Sequence, residues 1–566
     1  MTQNTSDIKG VKELIDICAA KGMEYVVISP GSRNAPLSIS FARDSRIQTP
    51  VIVDERSAGY FALGIAQQTG KPVGLVCTSG TALLNYAPAV AEAFYQRLPL
   101  VVISADRPQE WIGQDDSQAI NQVNILQNFV KASYHLPIVA DGTDDLWSIN
   151  RIMNEALSKS LSGRMGPVHI NVPFREPLYG NKKVEPSHER IIQKLGAKDA
   201  LSKEALNALA HEWKASKKIL ILAGLLPKNK ELNKSLCQLA KFKQVVILTE
   251  SVSNLHNQAF LPCIDRVITS ISDEEAKDFQ PDLLINFGGP LVSKKIKSFL
   301  REYSPKAHWF VGKEENFIDT FKTLSSHIDL SPEFFFADII PLLDDVESTY
   351  AQQWKQRDRV CDLAHDSYLQ KTDWSDLKAF ESVLTAIPDG GNLQLANSSV
   401  IRYAQLFKTS SSLLYNSNRG TSGIDGCTST AVGACHVNDK LTTLITGDIS
   451  FFYDSNALWN KYLNNRLKIV LINNGGGGIF RFIPGPSDAP ELEDYFETAQ
   501  DYRADKLAQT YGLDYFYADS FEALEKTLPD FFRLGERACV LELKTPRELN
   551  DVVLKDYFKD LREKQQ

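Results

Sequence analysis

Residues 441–478 read LTTLITGDISFFYDSNALWNKYLNNRLKIVLINNGGGG, which is two apolar runs joined by a more polar segment. The first run ends at Asp448 and the second at Asn474, which is followed by four glycines. Short apolar runs joined by a helix-length segment are typical of buried parallel strands, whose carboxyl ends lie at one edge of a sheet. We therefore predict a βαβ unit, with DSNALWNKYLNN (454–465) as its helix. The unit brings Asp448 and Asn474 together at the edge where such sheets bind ligands.

Comparable apolar runs recur along the chain and predict further parallel strands. They are EYVVIS (24–29), QTPVIVD (48–54), KPVGLVCT (71–78), LPLVVISA (98–105), KKILILAG (217–224), KQVVILTE (243–250), PDLLINFGG (281–289), HWFVG (308–312) and SLLYNS (412–417). We predict an α/β protein of three doubly wound parallel-sheet domains, over residues 1–185, 195–345 and 360–566. Polar, charged stretches near 180–200 and 345–375 indicate the two boundaries.

The first and third segments resemble each other. Gly80 precedes Leu100 by 20 residues, and Gly447 precedes Leu467 by the same 20. Two interpretations stay open. Any two βαβ units look alike, or the chain contains a duplicated domain that holds a ligand between similar halves.

The composition of the 566-residue chain is ordinary for a globular protein, with 43% hydrophobic and 23% charged residues. A net charge of −8 and a pI near 5.7 give no global electrostatic case for nucleic acid or an anionic membrane. The eight cysteines form no C-x-x-C pair, and the N-terminus lacks an apolar signal core. No apolar run approaches the length of a membrane span. We expect a reduced, cytoplasmic protein without a membrane span.

The polar groups at the predicted sheet edge suit a metal ion. The Asp448 carboxylate, the Asn474 amide oxygen and a carbonyl of the glycine run form a set of hard oxygen ligands, which Mg²⁺ and Ca²⁺ prefer. Asparagine carries no charge, so we expect a diphosphate to neutralise the rest of the dication. The glycines allow the backbone to approach the diphosphate closely.

The combined pattern of GDIS, helix and LINNGGGG resembles the cofactor motif of thiamine-diphosphate enzymes. The resemblance implies that Asp448, Asn474 and the Gly476 carbonyl hold Mg²⁺, or Mn²⁺ in its place, and that the ion grips the diphosphate. It also implies an acid in the N-terminal domain that hydrogen-bonds the aminopyrimidine ring across a subunit interface. Glu55, which taken alone is an ordinary acid in the first turn of a helix, is in the position of that acid. The protein is then at least a homodimer, and a homotetramer stays open.

Four further segments are similar to the 2-succinyl-5-enolpyruvyl-6-hydroxy-3-cyclohexene-1-carboxylate synthase family of these enzymes. They are SPGSRNAPLS (29–38), TSGTALLNYAPAVAEAFYQRLPLVVISADRP (78–108), GPVHINVPFREPL (166–178) and NRGTSGIDGCTSTAVGA (418–434). The resemblance implies pyrimidine-binding, central Rossmann-like and diphosphate-binding domains, in that order. It also implies a carboligase of menaquinone biosynthesis. Such an enzyme decarboxylates 2-oxoglutarate and adds the cofactor-bound succinyl semialdehyde unit to isochorismate by conjugate 1,4-addition.

Both of these substrates are dianions, so the pocket needs fixed cations, and arginine offers a planar fork for a carboxylate. The family motifs assign the cations to Arg33, Arg107, Lys294, Lys295, Arg402 and Arg419. They assign neutral hydrogen-bond partners to Ser32, Gln118 and Ser398. They assign Ile424 to bending the cofactor, and Phe480 and Ile483 to the apolar wall of the pocket, with Phe480 also beside the cofactor. Two positions depart from the family, because Ser117 stands where Asn is common and Lys295 stands where Arg often follows Lys.

Two alternatives remain. The first is another thiamine-diphosphate carboligase or 2-oxo acid decarboxylase, such as an acetolactate synthase-like enzyme, although the density of arginines suits dicarboxylates better than pyruvate. The second is a non-catalytic nucleotide-binding or regulatory protein on a duplicated α/β scaffold, and the acid at Glu55 argues against it.

Overall fold

The computed structural model describes residues 3–138, 142–184, 190–195, 200–483 and 485–564. The chain divides into two parts, which we call the first unit and the second unit. The first unit comprises Met1–Gly196, Gly420–Asp439 and Phe452–Leu467, and the second unit comprises Ala197–Arg419, Lys440–Phe451 and Lys468–Gln566. Residues 185–189 and 196–199, which fall in the first predicted boundary region, lie outside the described residues.

Buried apolar strands form a parallel sheet in the first unit. The strands, in chain order, are β1 (Gln3–Ser6), β2 (Tyr25–Ile28), β3 (Val73–Cys77), β4 (Leu100–Asp106), β5 (Ser133–His135), β6 (Val168–Pro173) and β7 (Asn181–Val184). The parallel sheet has the order β2-β3-β4-β6-β5, and β1 pairs antiparallel with β7. The runs EYVVIS, KPVGLVCT and LPLVVISA are therefore confirmed as strands.

The helices that follow these strands are α1 (Lys9–Ala20), α2 (Ala35–Ala42), α3 (Glu55–Thr69), α4 (Thr81–Asn85), α5 (Ala87–Gln96) and α6 (Thr143–Leu161). Helix α3 begins after Asp54, whose carboxylate accepts hydrogen bonds from the backbone amides of Arg56 and Ser57. It ends at Gly70, which adopts the left-handed conformation that closes many helices. Glu55 is thus the first residue of a well-capped helix.

The prediction of a strand over QTPVIVD is wrong. In this segment Gln48 and Val51 form only isolated bridges to Tyr25 and Ile28 of β2. Pro50 lies between them and has no N–H to donate to a ladder, although its carbonyl accepts from the Ile28 amide at 2.8 Å. The segment therefore follows the edge of β2 as irregular chain and leads directly into α3.

The second unit contains two parallel sheets. Their strands are β8 (Ile219–Ala223), β9 (Val245–Thr249), β10 (Leu283–Phe287), β11 (Ala307–Val311), β12 (Ser326–Ile328), β13 (Asn392–Leu395), β14 (Leu414–Asn416), β15 (Thr442–Gly447), β16 (Leu467–Asn473), β17 (Asp514–Ala518) and β18 (Cys539–Lys544). One sheet has the order β12-β11-β10-β8-β9, and the other has the order β14-β13-β15-β16-β18-β17. All the remaining predicted strands are confirmed among these.

Both faces of the β8–β12 sheet are covered. Along β8, Ile219 and Ile221 belong to one buried cluster, whereas Leu220 and Leu222 belong to another. Successive strand residues point to opposite faces, so two separate cores flank the sheet. This arrangement confirms the doubly wound α/β class.

The remaining helices are α7 (Lys203–Ala215), α8 (Lys230–Leu239), α9 (Ile264–Thr269), α10 (Ala276–Phe279), α11 (Lys294–Glu302), α12 (Pro332–Ile339), α13 (Tyr350–Leu369), α14 (Asp376–Ala386), α15 (Ser399–Ala404), α16 (Cys427–Val437), α17 (Asp448–Tyr453), α18 (Asp505–Tyr511), α19 (Phe521–Phe532) and α20 (Asn550–Glu563). None of the helices in the described ranges is both long and apolar enough to cross a membrane.

The connection between β15 and β16 differs from the prediction of a helix over 454–465. Helix α17 begins at Asp448, immediately after β15, and only a 3₁₀ turn over Ser455–Leu458 follows it. Asn460 donates a side-chain hydrogen bond to the Ala457 carbonyl at 2.7 Å. Asparagine side chains that bond the nearby backbone compete with helical hydrogen bonds, which accounts for the irregular chain there.

Helices α3 and α16 cross closely within the first unit. A Cβ atom on Gly64 would lie 2.1 Å from the Thr430 carbonyl oxygen, and one on Gly433 would lie 2.0 Å from the Phe61 carbonyl oxygen. The two backbones approach so closely because neither glycine has a side chain. This contact fixes the position of α3, whose first residue is Glu55.

Candidate functional site

The Asp448 carboxylate binds the glycine run directly. Its Oδ2 accepts hydrogen bonds from the backbone amides of Gly475 and Gly476, both at 2.9 Å, and its Oδ1 accepts from the Ile449 amide at 2.7 Å. Burial raises the pKa of Asp448 to about 6, while the three amide donors lower it and the nearby Asp376 charge raises it. The structure therefore brings together the strand ends that the sequence predicted to meet.

The glycine run needs glycine at two positions. Gly475 and Gly476 have φ values of +83° and +151°, which side-chain-bearing residues rarely adopt. A Cβ on Gly476 would also lie 2.8 Å from the Glu497 carbonyl oxygen, which accepts a hydrogen bond from the Gly477 amide at 2.7 Å. The backbone thus folds tightly against Glu497 and turns two amides toward Asp448.

Ionic bonds hold Glu497 in place behind the glycine run. Its buried carboxylate accepts from Arg481 at 2.6 and 2.7 Å and from Arg547 at 2.9 and 3.1 Å. Two guanidinium groups on one buried carboxylate form charge-assisted hydrogen bonds of the stronger kind. They connect the glycine run to two other parts of the second unit.

Asn474 is oriented by a buried carboxylate. Its Nδ2 donates to Asp376 Oδ2 at 2.9 Å, and the hydroxyl of Thr545 donates to Asp376 Oδ1 at 2.6 Å. With the amide nitrogen turned to Asp376, the Oδ1 atom of Asn474 is turned away from it. Among the described residues, none donates a hydrogen bond to that oxygen.

Asn473, by contrast, is tied into the sheet. Its Nδ2 donates to Glu542 Oε1 at 2.6 Å and to the Tyr502 carbonyl at 2.8 Å, and the side chain is almost fully buried. The buried Oδ1 of Asn473 has no hydrogen-bond partner among the described residues. The two adjacent asparagines therefore donate to different carboxylates, and only Asn473 belongs to β16.

The donor set fits a hard divalent ion with a diphosphate. Asp448 offers a carboxylate, Asn474 offers an amide oxygen without a donor in the described part of the chain, and the Gly476 carbonyl accepts only the Gly478 amide at 2.9 Å. A carbonyl oxygen has two lone pairs, so one of them stays available. The described residues hold no group of three His, Cys, Asp or Glu side chains suited to a metal.

Several predicted substrate residues line one cavity of about 330 Å³ in the second unit. Lys294, Lys295, Arg402 and Ile483 all belong to its wall, and apolar residues complete it. The full lining is Asp265, Lys294, Lys295, Ser399, Arg402, Tyr403, Leu406, Phe482, Ile483, Leu554, Lys555 and Phe558. A pocket of this size with an apolar wall and a few convergent charges is typical of a small-molecule site.

The charges in this cavity are partly balanced. Burial lowers the pKa of Lys295 and of Arg402, and the Asp265 carboxylate opposes both shifts. The Lys295 ammonium lies 4.2 Å from the centre of the Phe558 ring, within cation–π range. Four basic side chains and one acid line the cavity, so its net charge is positive, as an anionic ligand requires.

A second buried acid fixes the segment that carries the two lysines. Glu250, at the end of β9, accepts hydrogen bonds from the amides of Val292 and Ser293 at 2.8–2.9 Å. Lys294 and Lys295 follow at the start of α11. Burial raises the pKa of Glu250 to about 7, although the two amides lower it.

Ser398, Arg419 and Phe480 lie outside the lining of this cavity. Ser398 precedes the cavity residue Ser399 and adopts φ +70°, a strained conformation for a residue with a side chain. Arg419 donates to Asn397 Oδ1 at 2.9 Å. The Phe480 ring lies 6.0 Å from that of Phe496, and Phe482 belongs to the lining of the cavity.

In the first unit, Glu55 is the first residue of α3 and is partly exposed. Burial raises the pKa of Cys77, at the end of β3, and the Glu55 charge raises it further. The carboxylate therefore lies near the carboxyl edge of this sheet. No residue in the described ranges forms a hydrogen bond with its side chain, which leaves it available to a ligand.

The Ile424 segment, residues 420–426, is anchored within the same unit. Buried Glu92 accepts from the amides of Gly420 and Thr421 at 2.7 and 2.6 Å. The Tyr60 hydroxyl donates to Asp425 Oδ2 at 2.5 Å. Both ends of the segment are thus fixed on helices α5 and α3.

Arg107 lies close enough to Arg33 for its charge to act on the Arg33 guanidinium. Burial and then the charge of Arg107 lower the pKa of Arg33, which donates to the Phe174 carbonyl and Glu176 Oε1, both at 3.3 Å. Arg107 pairs with Asp116 at 2.8 Å.

Ser32 and Gln118 are exposed in the same unit. Gln118 adopts φ +55°, and its Cα would lie 3.3 Å from a Cβ on Gly80. Its backbone therefore lies beside the turn that follows β3.

The sequence reasoning did not identify the acids that hold these groups. Asp376, Glu250, Glu92, Asp265 and Glu497 are all distant in sequence from the residues they contact. Asp376 follows the N-cap Ser375 and reads as an ordinary first-turn acid, so the local pattern carries no further signal.

Comparison with known proteins agrees with this geometry. Three family models match the chain: "Thiamine pyrophosphate enzyme, N-terminal TPP binding domain" over residues 8–125, "Middle domain of thiamine pyrophosphate" over 189–394, and "Thiamine pyrophosphate enzyme, C-terminal TPP binding domain" over 396–543.

Curated relatives match over nearly the whole length. The 2-succinyl-5-enolpyruvyl-6-hydroxy-3-cyclohexene-1-carboxylate synthase of Porphyromonas gingivalis is 45% identical over 567 residues, covering 99% of this chain and 98% of that protein. A protein of the same name from Flavobacterium johnsoniae is 45% identical, and the match covers 97% of this chain and 98% of that protein. Another from Christiangramia forsetii is 42% identical, and the match covers 98% of this chain and 99% of that protein. The chain therefore belongs to the 2-succinyl-5-enolpyruvyl-6-hydroxy-3-cyclohexene-1-carboxylate synthase family of thiamine-diphosphate enzymes.

Proposed function

We propose that this protein is a 2-succinyl-5-enolpyruvyl-6-hydroxy-3-cyclohexene-1-carboxylate synthase of menaquinone biosynthesis. It decarboxylates 2-oxoglutarate and joins the remaining four-carbon unit to isochorismate. The observation that carries the proposal is the Asp448 carboxylate bound to the Gly475 and Gly476 amides, beside an Asn474 oxygen free of donors among the described residues. Full-length relatives with this name support it.

We assign the metal and cofactor contacts to the chain as follows. Asp448, Asn474 and the Gly476 carbonyl would hold Mg²⁺ or Mn²⁺, and the ion would supply positive charge for the diphosphate of thiamine diphosphate. Bound thiamine diphosphate supplies an acidic thiazolium carbon for decarboxylation and carbon–carbon bond formation. Glu55 hydrogen-bonds a pyrimidine ring nitrogen and holds a proton there. Ile424 and Phe480 provide apolar contact with the cofactor.

We assign the substrate contacts to two sets of basic side chains, one in the first unit and one in the second unit. Arg33 and Arg107 of the first unit bind carboxylates, with Ser32 and Gln118 as neutral partners. In the second unit, Lys294, Lys295 and Arg402 supply charge within the 330 Å³ cavity, and Ile483 forms part of its apolar wall. Ser398 and Arg419 complete the proposed substrate residues.

We also propose that the protein works as a homodimer or homotetramer, with the cofactor of one protomer served by Glu55 from another. The resemblance of the motifs to the family supports this proposal. We also propose three domains over residues 1–185, 195–345 and 360–566, and the proposal is supported by the presence of one parallel sheet in each range. A cytoplasmic location is supported by the eight cysteines, which are all free thiols.

An assay with both substrates tests the reaction. Purified protein with Mg²⁺ and thiamine diphosphate should consume isochorismate only when 2-oxoglutarate is present, and CO₂ release should match it. Pyruvate in place of 2-oxoglutarate is the control for an acetolactate synthase-like activity. Turnover of pyruvate without consumption of isochorismate would refute the proposed substrate pair.

Two variants test the assignments of Glu55 and Asp448. Glu55→Gln should abolish turnover and leave cofactor affinity nearly unchanged, because the amide cannot replace the carboxylate at the pyrimidine nitrogen. Asp448→Ala should lose Mg²⁺-dependent cofactor binding, which calorimetric titration measures. A normal rate in the first variant, or unchanged affinity in the second, contradicts the corresponding role.

Mixing the two variants tests the shared site. In a dimer, an exchanged mixture contains heterodimers in which one site carries both changes and the other carries neither. About a quarter of the wild-type activity should then return, since about half of the dimers are mixed and each has one intact site. No recovery after verified subunit exchange would show that Glu55 and Asp448 act within one chain.

A further inference from the structure

The Asp376 carboxylate occupies an unusual place beside the candidate metal site. It is only 2% exposed, and it begins α14, 98 positions before Asn474 in sequence. It receives the Asn474 Nδ2 hydrogen bond at 2.9 Å on one oxygen and the Thr545 hydroxyl at 2.6 Å on the other. A buried carboxylate is costly unless donors satisfy it, so its presence here needs an explanation.

The hydrogen-bond direction at Asn474 supplies that explanation. A carboxylate only accepts hydrogen bonds, so the group facing it must be the NH₂ end of the amide. The amide oxygen of Asn474 must then point the opposite way. A neutral amide in place of Asp376 would not impose this choice, because it could present either a donor or an acceptor.

We propose that Asp376 is a positioning residue that sets the amide orientation of Asn474 and so directs its Oδ1 to the metal ion. This inference rests on the proposed metal site of Asp448, Asn474 and Gly476. Groups that orient a metal ligand from behind typically influence metal affinity strongly. The Thr545 hydroxyl donates to Asp376 Oδ1 and Asn474 donates to Asp376 Oδ2, so both oxygens of the carboxylate act as acceptors.

Asp376→Asn removes the constraint on Asn474. The Thr545 hydroxyl can donate to the new oxygen or accept from the new NH₂ group, so either end of the new amide can face Asn474. When the new NH₂ group faces Asn474, two NH₂ groups cannot share a hydrogen bond, and Asn474 rotates and presents its own NH₂ to the metal. We expect the apparent Mg²⁺ dissociation constant, measured by calorimetry at saturating thiamine diphosphate, to rise about 10- to 100-fold.

Exchanging the two side chains provides the decisive variant. In Asp376→Asn combined with Asn474→Asp, the amide at 376 donates to one oxygen of the carboxylate at 474. The other carboxylate oxygen then points to the metal, and the total charge is unchanged. We expect Mg²⁺ affinity to return to within about threefold of the wild type, because hydrogen-bond matching of the pair is restored. Asn474→Asp alone is the control for the added ligand charge, because it places two carboxylates face to face; Mg²⁺ affinity of the exchanged pair no higher than that of this single variant would count against hydrogen-bond matching.

Three outcomes distinguish a failure of the positioning role of Asp376 from a failure of the proposed metal site. If Asn474→Ala leaves Mg²⁺ affinity unchanged, the metal site itself is wrong, and the inference falls with it. If Asn474→Ala weakens Mg²⁺ binding but Asp376→Asn does not, the metal site stands and the positioning role is overturned. If Asp376→Asn does not fold, the exchanged pair decides alone: recovered affinity supports the inference, and a folded exchanged pair without Mg²⁺ binding overturns it.

Discussion

A single methyl group at Gly476 should disable the cofactor site. Gly476 has φ +151°, and an added Cβ would lie 2.8 Å from the Glu497 carbonyl oxygen and 3.1 Å from Glu497 Cγ. Backbone atoms cannot yield as a flexible side-chain end can, and Arg481 and Arg547 hold the Glu497 side chain. The Gly476→Ala variant must therefore move the glycine run.

The size of the effect follows from two contributions. A residue with a side chain in such a backbone conformation costs about 1–3 kcal/mol. Overpacking against fixed neighbours costs about another 1–3 kcal/mol. If the run moves to relieve about 2 kcal/mol, the hydrogen bond from the Gly476 amide to Asp448 is lost. We expect the affinity for thiamine diphosphate with Mg²⁺ to fall at least about 30-fold, at about 1.4 kcal/mol per factor of ten.

Gly447→Ala is the matched control. Gly447 lies at the same sheet edge, immediately before Asp448, but a Cβ there meets no atom within 4 Å and its φ is outside the left-handed region. Calorimetric titration of both variants at one Mg²⁺ concentration compares them directly, and thermal unfolding without cofactor verifies the fold. Cofactor affinity of Gly476→Ala within threefold of the wild type would refute the reasoning.

Two further predictions concern acids that hold loops. The pKa of Glu250 is raised from 4.5 to about 7, so the folded protein keeps this proton to higher pH than the unfolded chain does. The corresponding stability is present below about pH 4.5 and lost by about pH 7, a change of about 3 kcal/mol. The free energy of unfolding of Glu250→Gln, measured with urea, should not decline over this pH range. A decline parallel to that of the wild type would contradict the prediction. Glu92→Gln should lower the free energy of unfolding by about 2 kcal/mol, because charge-assisted bonds to Gly420 and Thr421 weaken. Hydrogen exchange at the Thr421 amide should accelerate, and unchanged protection would count against the anchoring role.

The sequence was sufficient to predict that Asp448 lies beside the glycine run, because this proximity depends only on strand order. Parallel strands joined by one short connection lie side by side, and their carboxyl ends share an edge. Neither the wrong helix over 454–465 nor the missed strands β13, β17 and β18 affected that conclusion. The topology needs only that β15 and β16 are neighbours, as they are.

Side-chain surroundings were harder to predict from the sequence. Phe480 belongs to the 3₁₀ turn Gly478–Arg481 and its ring lies near that of Phe496, whereas Phe482, two residues later, lines the 330 Å³ cavity. The assignment of Phe480 to the wall of the substrate pocket stays a prediction. The direction of a side chain in a short irregular turn depends on local backbone angles, which no periodic pattern encodes. The contact between Asp376 and Asn474 likewise arises only from tertiary packing.

Three buried carboxylates of this protein have the same physical role, which an amide side chain could not perform. Asp448 accepts from Gly475 and Gly476 on one oxygen and from Ile449 on the other, Glu250 accepts from Val292 and Ser293, and Glu92 accepts from Gly420 and Thr421. Each pair of amides belongs to irregular chain, which has no ladder or helix to satisfy its donors. An Asn or Gln side chain accepts through one oxygen and turns an NH₂ group toward the second donor, whereas a carboxylate accepts on both sides.

These bonds offset the cost of burying the charge, and they also determine where each loop lies. The three loops carry or adjoin Gly476, Lys294 and Ile424, which are residues of the proposed site. Loops fixed in this way hold their ligand-binding groups in position before any ligand arrives, so less binding energy is lost in ordering them. Rigidity in the irregular parts of this fold therefore depends on a few carboxylates more than on the sheets beneath them.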